Sequence, residues 1–212
     1  MSSGITFTYE VDQAEMAAIM IKLNELSGGK ARTYIARALN KTAVTARVKL
    51  GRKAQQSYTV KKRGFNGSMK IKRATAGNLI AEINSDGFPL SMKEFSHSFS
   101  RPSPARADIV YSGLKPVMKY GNKAFVGKGE LNGHIYVRTG KPAKMQNRLN
   151  REQYRAKKGR NIAKSREGLE KLFSKSVPYM LGSDNRVYGP LQPQIRSDLA
   201  KYISQQIAML LG

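Results

Sequence analysis

Between Lys30 and Arg63 the chain reads KARTYIARALNKTAVTARVKLGRKAQQSYTVKKR, and this stretch limits the possible folds more than any other. At helical period, Ala31, Ile35, Ala38, Leu39, Thr42, Ala43, Ala46, Leu50 and Ala54 fall on one stripe. Lys and Arg occupy most of the remaining circumference. The stripe is made mainly of alanine, so another element can approach the helix backbone closely. Gly28-Gly29 breaks the chain before it, and the β-favouring Tyr58-Thr59-Val60 weakens it afterwards. A helix from Lys30 to Gln56 is about 40 Å long at 1.5 Å per residue. So long an element in a chain of 212 residues predicts a fold built against it.

Around this helix the pattern predicts a single α+β domain spanning 1–212, with long N-terminal helices packed on an antiparallel β-meander, a closing C-terminal helix and a basic loop insertion. Gly4 to Glu10 alternates Ile5, Phe7 and Tyr9 with threonines, as a short strand or extended arm does. Asp12 and Glu15 resemble a capping box ahead of a first helix with Met16, Ile19, Met20, Leu23 and Leu26 on one face. Met69 to Thr75 reads as a strand or a short helix turning into one. Asn78 to Asn84 is a clearer strand, and Asp86-Gly87 is a hairpin-type turn signal with Pro89 to Phe95 as the returning edge. Ser96 to Ala107, rich in Ser and Pro, reads as loop. A β-meander is expected from Asp108–Tyr111, Lys115–Tyr120, Lys123–Val126 and His134–Thr139, punctuated by Gly113, Gly121 and the glycines of 127–133.

Gly140 to Lys171 is strongly basic, with Glu152, Glu167 and Glu170 as its acids and no apolar stripe. It is expected to be a mobile basic insertion, most open from Met145 to Lys164. Leu172 to Leu181 restores order. Pro190 and Pro193 then introduce a closing helix, Gln194–Leu211, with Ile195, Leu199, Tyr202, Ile203 and Leu210 on one face. Ile207, Met209 and Leu211 widen that face beyond one packing partner and mark a candidate interface.

Charge narrows the function. Thirty-eight Lys and Arg against 14 Asp and Glu give a net charge of +24, and 26–81 contains no acid at all. A polyanion or an acidic protein neighbour is the expected counterpart. Candidate polyanion contacts are Arg47, Lys49, Arg52, Lys53, Lys61, Lys62 and Arg63 in the first basic block. Arg148, Arg151, Arg155, Lys157 and Lys158 form the second. A simple solvated basic face is the competing reading. No helix-turn-helix, zinc-finger or RNP pattern is visible, and Tyr154 is the lone aromatic among the basics of 141–171.

Chemistry is sparse. There is no Cys, so disulfides, thiol catalysis and cysteine metal sites are excluded. The two histidines, His97 and His134, have no spaced second ligand. Glu94, Asp108 and Glu130 carry no spacing that would join them as a nuclease cluster. The glycines at 127–133 do not precede a helix and predict a hairpin loop instead of a phosphate cradle. No catalytic residue, metal or cofactor is expected. The opening residues lack the blocks of a signal peptide, and no apolar run nears the ~20 residues of a membrane span. An intracellular product is the expectation.

Several stretches, in order, carry a resemblance. They are Ala38-Leu-Asn-Lys-Thr-Ala43 with Ala46-Arg47, Ile71-Lys-Arg-Ala-Thr75, Pro89-Leu-Ser-Met-Lys-Glu-Phe95, Gly133-His-Ile-Tyr-Val-Arg-Thr-Gly140 and Ser176-Val-Pro-Tyr-Met-Leu181. Across 30–182 the chain resembles the phage minor tail protein Z family, also called tail completion proteins. The resemblance implies a virion protein at the head-proximal end of a long tail, assembled in the host cytoplasm. It further implies a homo-oligomeric, six-fold ring near the DNA path, in contact with other tail and neck proteins. In 140–171 a longer basic insertion replaces the family's short link. The alternatives are a non-specific nucleic-acid-binding protein of ribosomal or nucleoid type, and a nuclease.

Overall fold

The long amphipathic stretch folds as helix α1, Ala31–Ser57. Its striped residues are all buried, with Ala38, Leu39, Thr42, Ala43, Leu50 and Ala54 fully so. No side chain caps its start, and it ends where Tyr58 turns extended, as the β-favouring residues predict. With no acidic residue in its first turn and no basic one in its last, its stability comes from packing. Buried Thr42 satisfies its hydroxyl by donating to the Ala38 carbonyl at 3.0 Å. A computed structural model describes residues 3–9, 30–60, 65–142 and 167–211. The expected first helix and residues 143–166, including Met145–Lys164, lie outside the described residues.

The fold is mixed α+β, as expected. The chain divides into two units, Met1–Leu90 with Lys175–Gly212, and Ser91–Ser174.

In the first unit, β3 (Ala81–Gly87) is the central strand, with β1 (Ser3–Tyr9) and β2 (Met69–Lys72) antiparallel on either side. Ile83 lies opposite both Phe7 and Ile71. Ala81, Ile83 and Ser85 alternate into the core, as period-two patterning requires. The strand therefore starts at Ala81, not Asn78. It also continues through Asp86-Gly87, which are no hairpin turn: Gly4 and Ser3 of β1 pair with them. The next strand, β4 (Pro89–Ser91), is not part of this sheet. Gly87 lies against Pro178, which a Cβ there would touch at 3.4 Å.

Helix α2 (Val177–Leu181) follows β13 (Phe173–Ser176); Ser176 caps it by accepting from the Tyr179 N–H, and Pro178 sits in its first turn. Its Met180 and Leu181 are fully buried. Helix α3 runs over Tyr188–Leu211, six residues earlier than the expected start, so Pro190 and Pro193 lie inside it. Pro190 falls in the first turn, where a missing N–H costs nothing. Pro193 forgoes one bond, to the carbonyl four residues back. Leu191 and Ile195 of this early part are buried, which holds the start in place.

Helix α3 lies antiparallel along α1. Lys41 donates to Gln205 at 3.3 Å, Thr45 and Tyr202 share a 3.1 Å bond, and Lys49 meets Asp198 at 2.6 Å. On another side of α1, Asn40 clamps Ala74 through both its N–H and its carbonyl, at 2.8 and 2.9 Å. So α1 is packed by helix, sheet and loop, and the sheet packed on it is β1-β3-β2, where a meander was expected.

The second unit holds that meander. Strands β5 (Ser96–Ser98), β6 (Arg106–Asp108), β7 (Lys115–Pro116), β8 (Met118–Lys119), β9 (Asn122–Lys123), β10 (Phe125–Val126), β11 (Ile135–Pro142) and β12 (Glu167–Lys171) follow one another antiparallel. The breaks between β7 and β8, and between β9 and β10, are bridged. Val117 donates to Ala105, Ala124 to Val117, and Ala105 to Ala124, all within 3.0 Å. Buried Ala105, Ala124, Ile135, Val137 and Leu172 form the core. Met92 donates to the Leu172 carbonyl at 3.1 Å, tying the chain before β5 to the chain after β12.

Two expectations are corrected here. The Ser/Pro stretch is loop only at 99–105, because β5 and β6 pair at its ends around buried Phe95, Ala105 and Ala107. Residues 140–142 and 167–171 of the basic stretch are strand, with Pro142 opposite Glu167.

Replacing Ala38 or Ala46, at 0% and 1% exposure, by Glu would bury an unpaired charge and cost several kcal/mol. Thermal denaturation followed by circular dichroism should show loss of the folded first unit. Gly189→Ala should also destabilise, because its Cβ would collide with the backbone carbonyl of Asp184.

Candidate nucleic-acid interface

Helix α1 carries four of the candidate polyanion contacts, and the packing of α3 sorts them. Residues 49, 52, 53 and 56 follow helical spacing along the edge facing the start of α3. Lys49, Arg52, Lys53 and Gln56 line a groove of about 260 Å³ with Pro190, Leu191 and Gln194. Arg52 and Gln194 are exposed and Lys53 is half-buried. Neither Arg52 nor Lys53 has an ion-pair partner among the described residues. Lys49 is different, since its ammonium is held by Asp198 at 2.6 Å. Arg47 points elsewhere: it is half-buried, and its Nε is enclosed without a hydrogen-bond partner among the described residues.

The groove can therefore offer two cations and two amides to an anion, over an apolar floor at Leu191. A guanidinium forks onto phosphate oxygens and an ammonium adds a point charge. Gln56, Gln194 and Asp198 were not legible as parts of this site, because only the antiparallel α1–α3 contact brings them to the α1 cations. Lys61, Lys62, Arg63, Arg148, Arg151, Arg155, Lys157 and Lys158 lie outside the described residues. Of the interface candidates, Ile207 is half-buried and Met209 is 66% exposed. The side chain of Leu211 lies outside the described set.

A second cluster looks catalytic at first. In the second unit, Ser91 Oγ lies 2.8 Å from His134 Nδ1, and Lys171 Nζ lies 3.2 Å from His134 Nε2. An ammonium only donates, so Nε2 must accept and the ring proton sits on Nδ1. Nδ1–H then donates to Ser91, which is the reverse of what a base activating a serine requires. Burial, then Lys171 and Lys93, push the His134 pKa below its ordinary value, with Glu94 opposing. The triad is thus a structural bridge through a neutral imidazole. His97 shares a 2.9 Å bond with the Phe95 carbonyl. Asp108 accepts from the Ser112 N–H at 3.0 Å. Among the described residues no group of three His, Asp or Glu could hold a metal, and no described helix is long and apolar enough to cross a membrane. The glycines of 127–133 form the β10–β11 connection, with Asn132 and Gly133 at positive φ.

No protein-family model, no curated protein and no solved structure matches the chain.

The His134 bridge predicts a pH effect of definite sign. The unfolded chain takes up the imidazole proton near pH 6.5, whereas the folded ring resists it to a lower pH. Its contribution is intact above that value and declines as pH falls towards the folded pKa. The melting-temperature advantage of wild type over His134→Gln should shrink between about pH 7.5 and about pH 5.5. An advantage that is constant with pH would mean the ring titrates freely.

Proposed function

We propose that the chain is a structural tail completion protein of a long-tailed phage, built into the head-proximal end of the tail and helping to join it to the head. The reading is carried by the ordered stretches that resemble the minor tail protein Z family. Several of these stretches are fold-forming in this chain. Ala38, Leu39, Ala43, Phe95, Ile135, Val137, Met180 and Leu181 are all buried. Those stretches build the scaffold of this chain, as suits a protein acting through shape and assembly instead of catalysis.

In this reading the chain works as a homo-oligomeric ring of six-fold symmetry, in contact with tail and neck proteins and close to the DNA. Met209, exposed on the last turns of α3, with Ile207 and Leu211 would contribute to the contact between copies. The +24 net charge would then face DNA phosphates, and the Arg52–Lys53 groove is one place of contact. Assembly would take place in the host cytoplasm. The second reading, a stand-alone non-specific nucleic-acid-binding protein, draws on that same groove.

Electron microscopy of phage particles made without the protein separates the two. Unjoined heads and tails, rescued by the wild-type chain, are expected; joined virions at normal yield would overturn the tail reading. Met209→Asp should abolish the sedimenting oligomer without lowering the melting temperature of the monomer. Truncation at Gln194 is unsuitable for this test, because buried Ile195 and the Lys49–Asp198 pair lie beyond it. For the groove, Arg52→Gln with Lys53→Gln should leave stability unchanged and make duplex DNA binding less salt-dependent. The slope of log affinity against log salt should fall by about 0.9 for each phosphate that is no longer neutralised.

A further inference from the structure

Three non-glycine residues among the described set have positive φ: Tyr111 at 49°, Tyr120 at 54° and Asn132 at 48°. Asn tolerates that backbone, whereas a bulky aromatic there is a steric outlier. Tyr120 and Gly121 (φ 73°) form the two-residue turn joining β8 to β9. Positive φ at both positions is the geometry for which Asn-Gly is the favoured pair. Tyr111 sits in the β6–β7 connection, ordered by the Asp108–Ser112 bond and by Arg106 Nε donating to the Leu114 carbonyl at 3.1 Å. Both residues are nonetheless largely exposed, 63% and 61%, although the Lys119 ammonium lies 4.9 Å from the Tyr120 ring centroid and leaves one face of that ring for stacking. Strained positions of this kind concentrate at functional sites.

The two tyrosines stand at opposite ends of the run 115–119, roughly 13 Å long at strand rise. Between and beside them lie exposed Lys115 and Lys123, with Met118 also 55% exposed. Of the nearby acids, Glu170 is paired with Lys119 at 2.6 Å and Asp108 accepts from the Ser112 N–H. The ribbon thus carries an exposed tyrosine towards each end and exposed lysines on its strands. A second copy would bring like charge onto like charge. An acidic protein would satisfy the lysines but give no reason for two strained, exposed rings. Unpaired bases reward both features, since each has a π-face and each nucleotide a phosphate. Duplex DNA hides its base faces inside the stack.

We propose that the β6–β9 ribbon of the second unit is a single-stranded nucleic-acid platform, on which Tyr111 and Tyr120 stack bases while Lys115 and Lys123 meet the backbone. This does not rest on the tail reading and would hold for either assignment of the whole protein.

The test is fluorescence anisotropy with labelled oligothymidylate and with a duplex of equal length, using the full chain. Tyr111→Asn and Tyr120→Asn should each weaken single-strand binding by about fivefold or more, the lower end of a lost base stack. Duplex binding should change less than twofold, roughly, and melting temperature should hold or rise because Asn suits the left-handed backbone. Tyr→Phe at either position keeps the ring and should keep the affinity. Lys115→Gln with Lys123→Gln should flatten the salt dependence. Single-strand affinity unchanged in both Asn variants would overturn the proposal. So would equal losses on single strand and duplex. Self-association at high salt that disappears in the Asn variants would assign the face to a second copy instead.

Discussion

Everything in the first unit depends on how closely other backbones can approach α1. Its buried face is mostly alanine, with Leu39 and Leu50 as the large members. Small residues bring α3, the β1-β3-β2 sheet and the 73–76 loop within contact of one helix. Burying a leucine is worth roughly 1.5–3 kcal/mol, and an exposed ion pair usually under about 1 kcal/mol. Apolar packing on this one helix therefore outweighs the polar contacts that decorate it. The Asn40 clamp and the Lys49–Asp198 pair set register more than they add stability.

Charge acts in the opposite direction. With +24 overall, three ion pairs among the described residues, Lys49–Asp198, Lys72–Glu82 and Lys119–Glu170, leave most cations without a counter-charge. Such a surface repels itself when the chain is alone and attracts polyanions over long range. No charged residue of the described set is fully buried, Arg47 with its enclosed Nε coming closest, so most of the repulsion acts outside the packing. Salt or a bound polyanion should relieve it without rearranging the fold.

The second unit solves a different problem with little material. Its core is built on two alanines, two β-branched residues and a leucine, and its strands are short. Single backbone bonds at Val117, Ala105 and Ala124 carry the pairing across the interruptions between β7 and β8 and between β9 and β10. The Ser91–His134–Lys171 bridge belongs to this economy: it satisfies half-buried polar groups beside the core. Three groups that could read as a catalytic set are arranged with the proton on the wrong nitrogen for catalysis.

Periodicity alone determined α1 to within a residue at each end, and its buried stripe. These are local properties, because a helix of this length shows its face several times over. Strand β1 was also legible from Ile5 and Phe7, but not what it pairs with. That partner is decided by tertiary pairing, and it turned Asp86-Gly87 from a turn signal into strand. The same holds for β5 and β6, where pairing and burial of Phe95 and Ala107 overrode Ser- and Pro-rich composition. The meander was less legible: of its expected strands Asp108–Tyr111 keeps only Asp108, and Lys115–Tyr120 and Lys123–Val126 are each interrupted. The candidate sites divide in the same way. Lys49, Arg52 and Lys53 were visible as basic residues, but only α3 placed Asp198 on the first and left the other two in a groove. Tyr111 and Tyr120 were read as strand ends ahead of Gly113 and Gly121, and nothing in the sequence marked their left-handed backbone. Backbone sign at a turn is set by the strands the turn must join, and no single-residue preference for tyrosine would have placed it there.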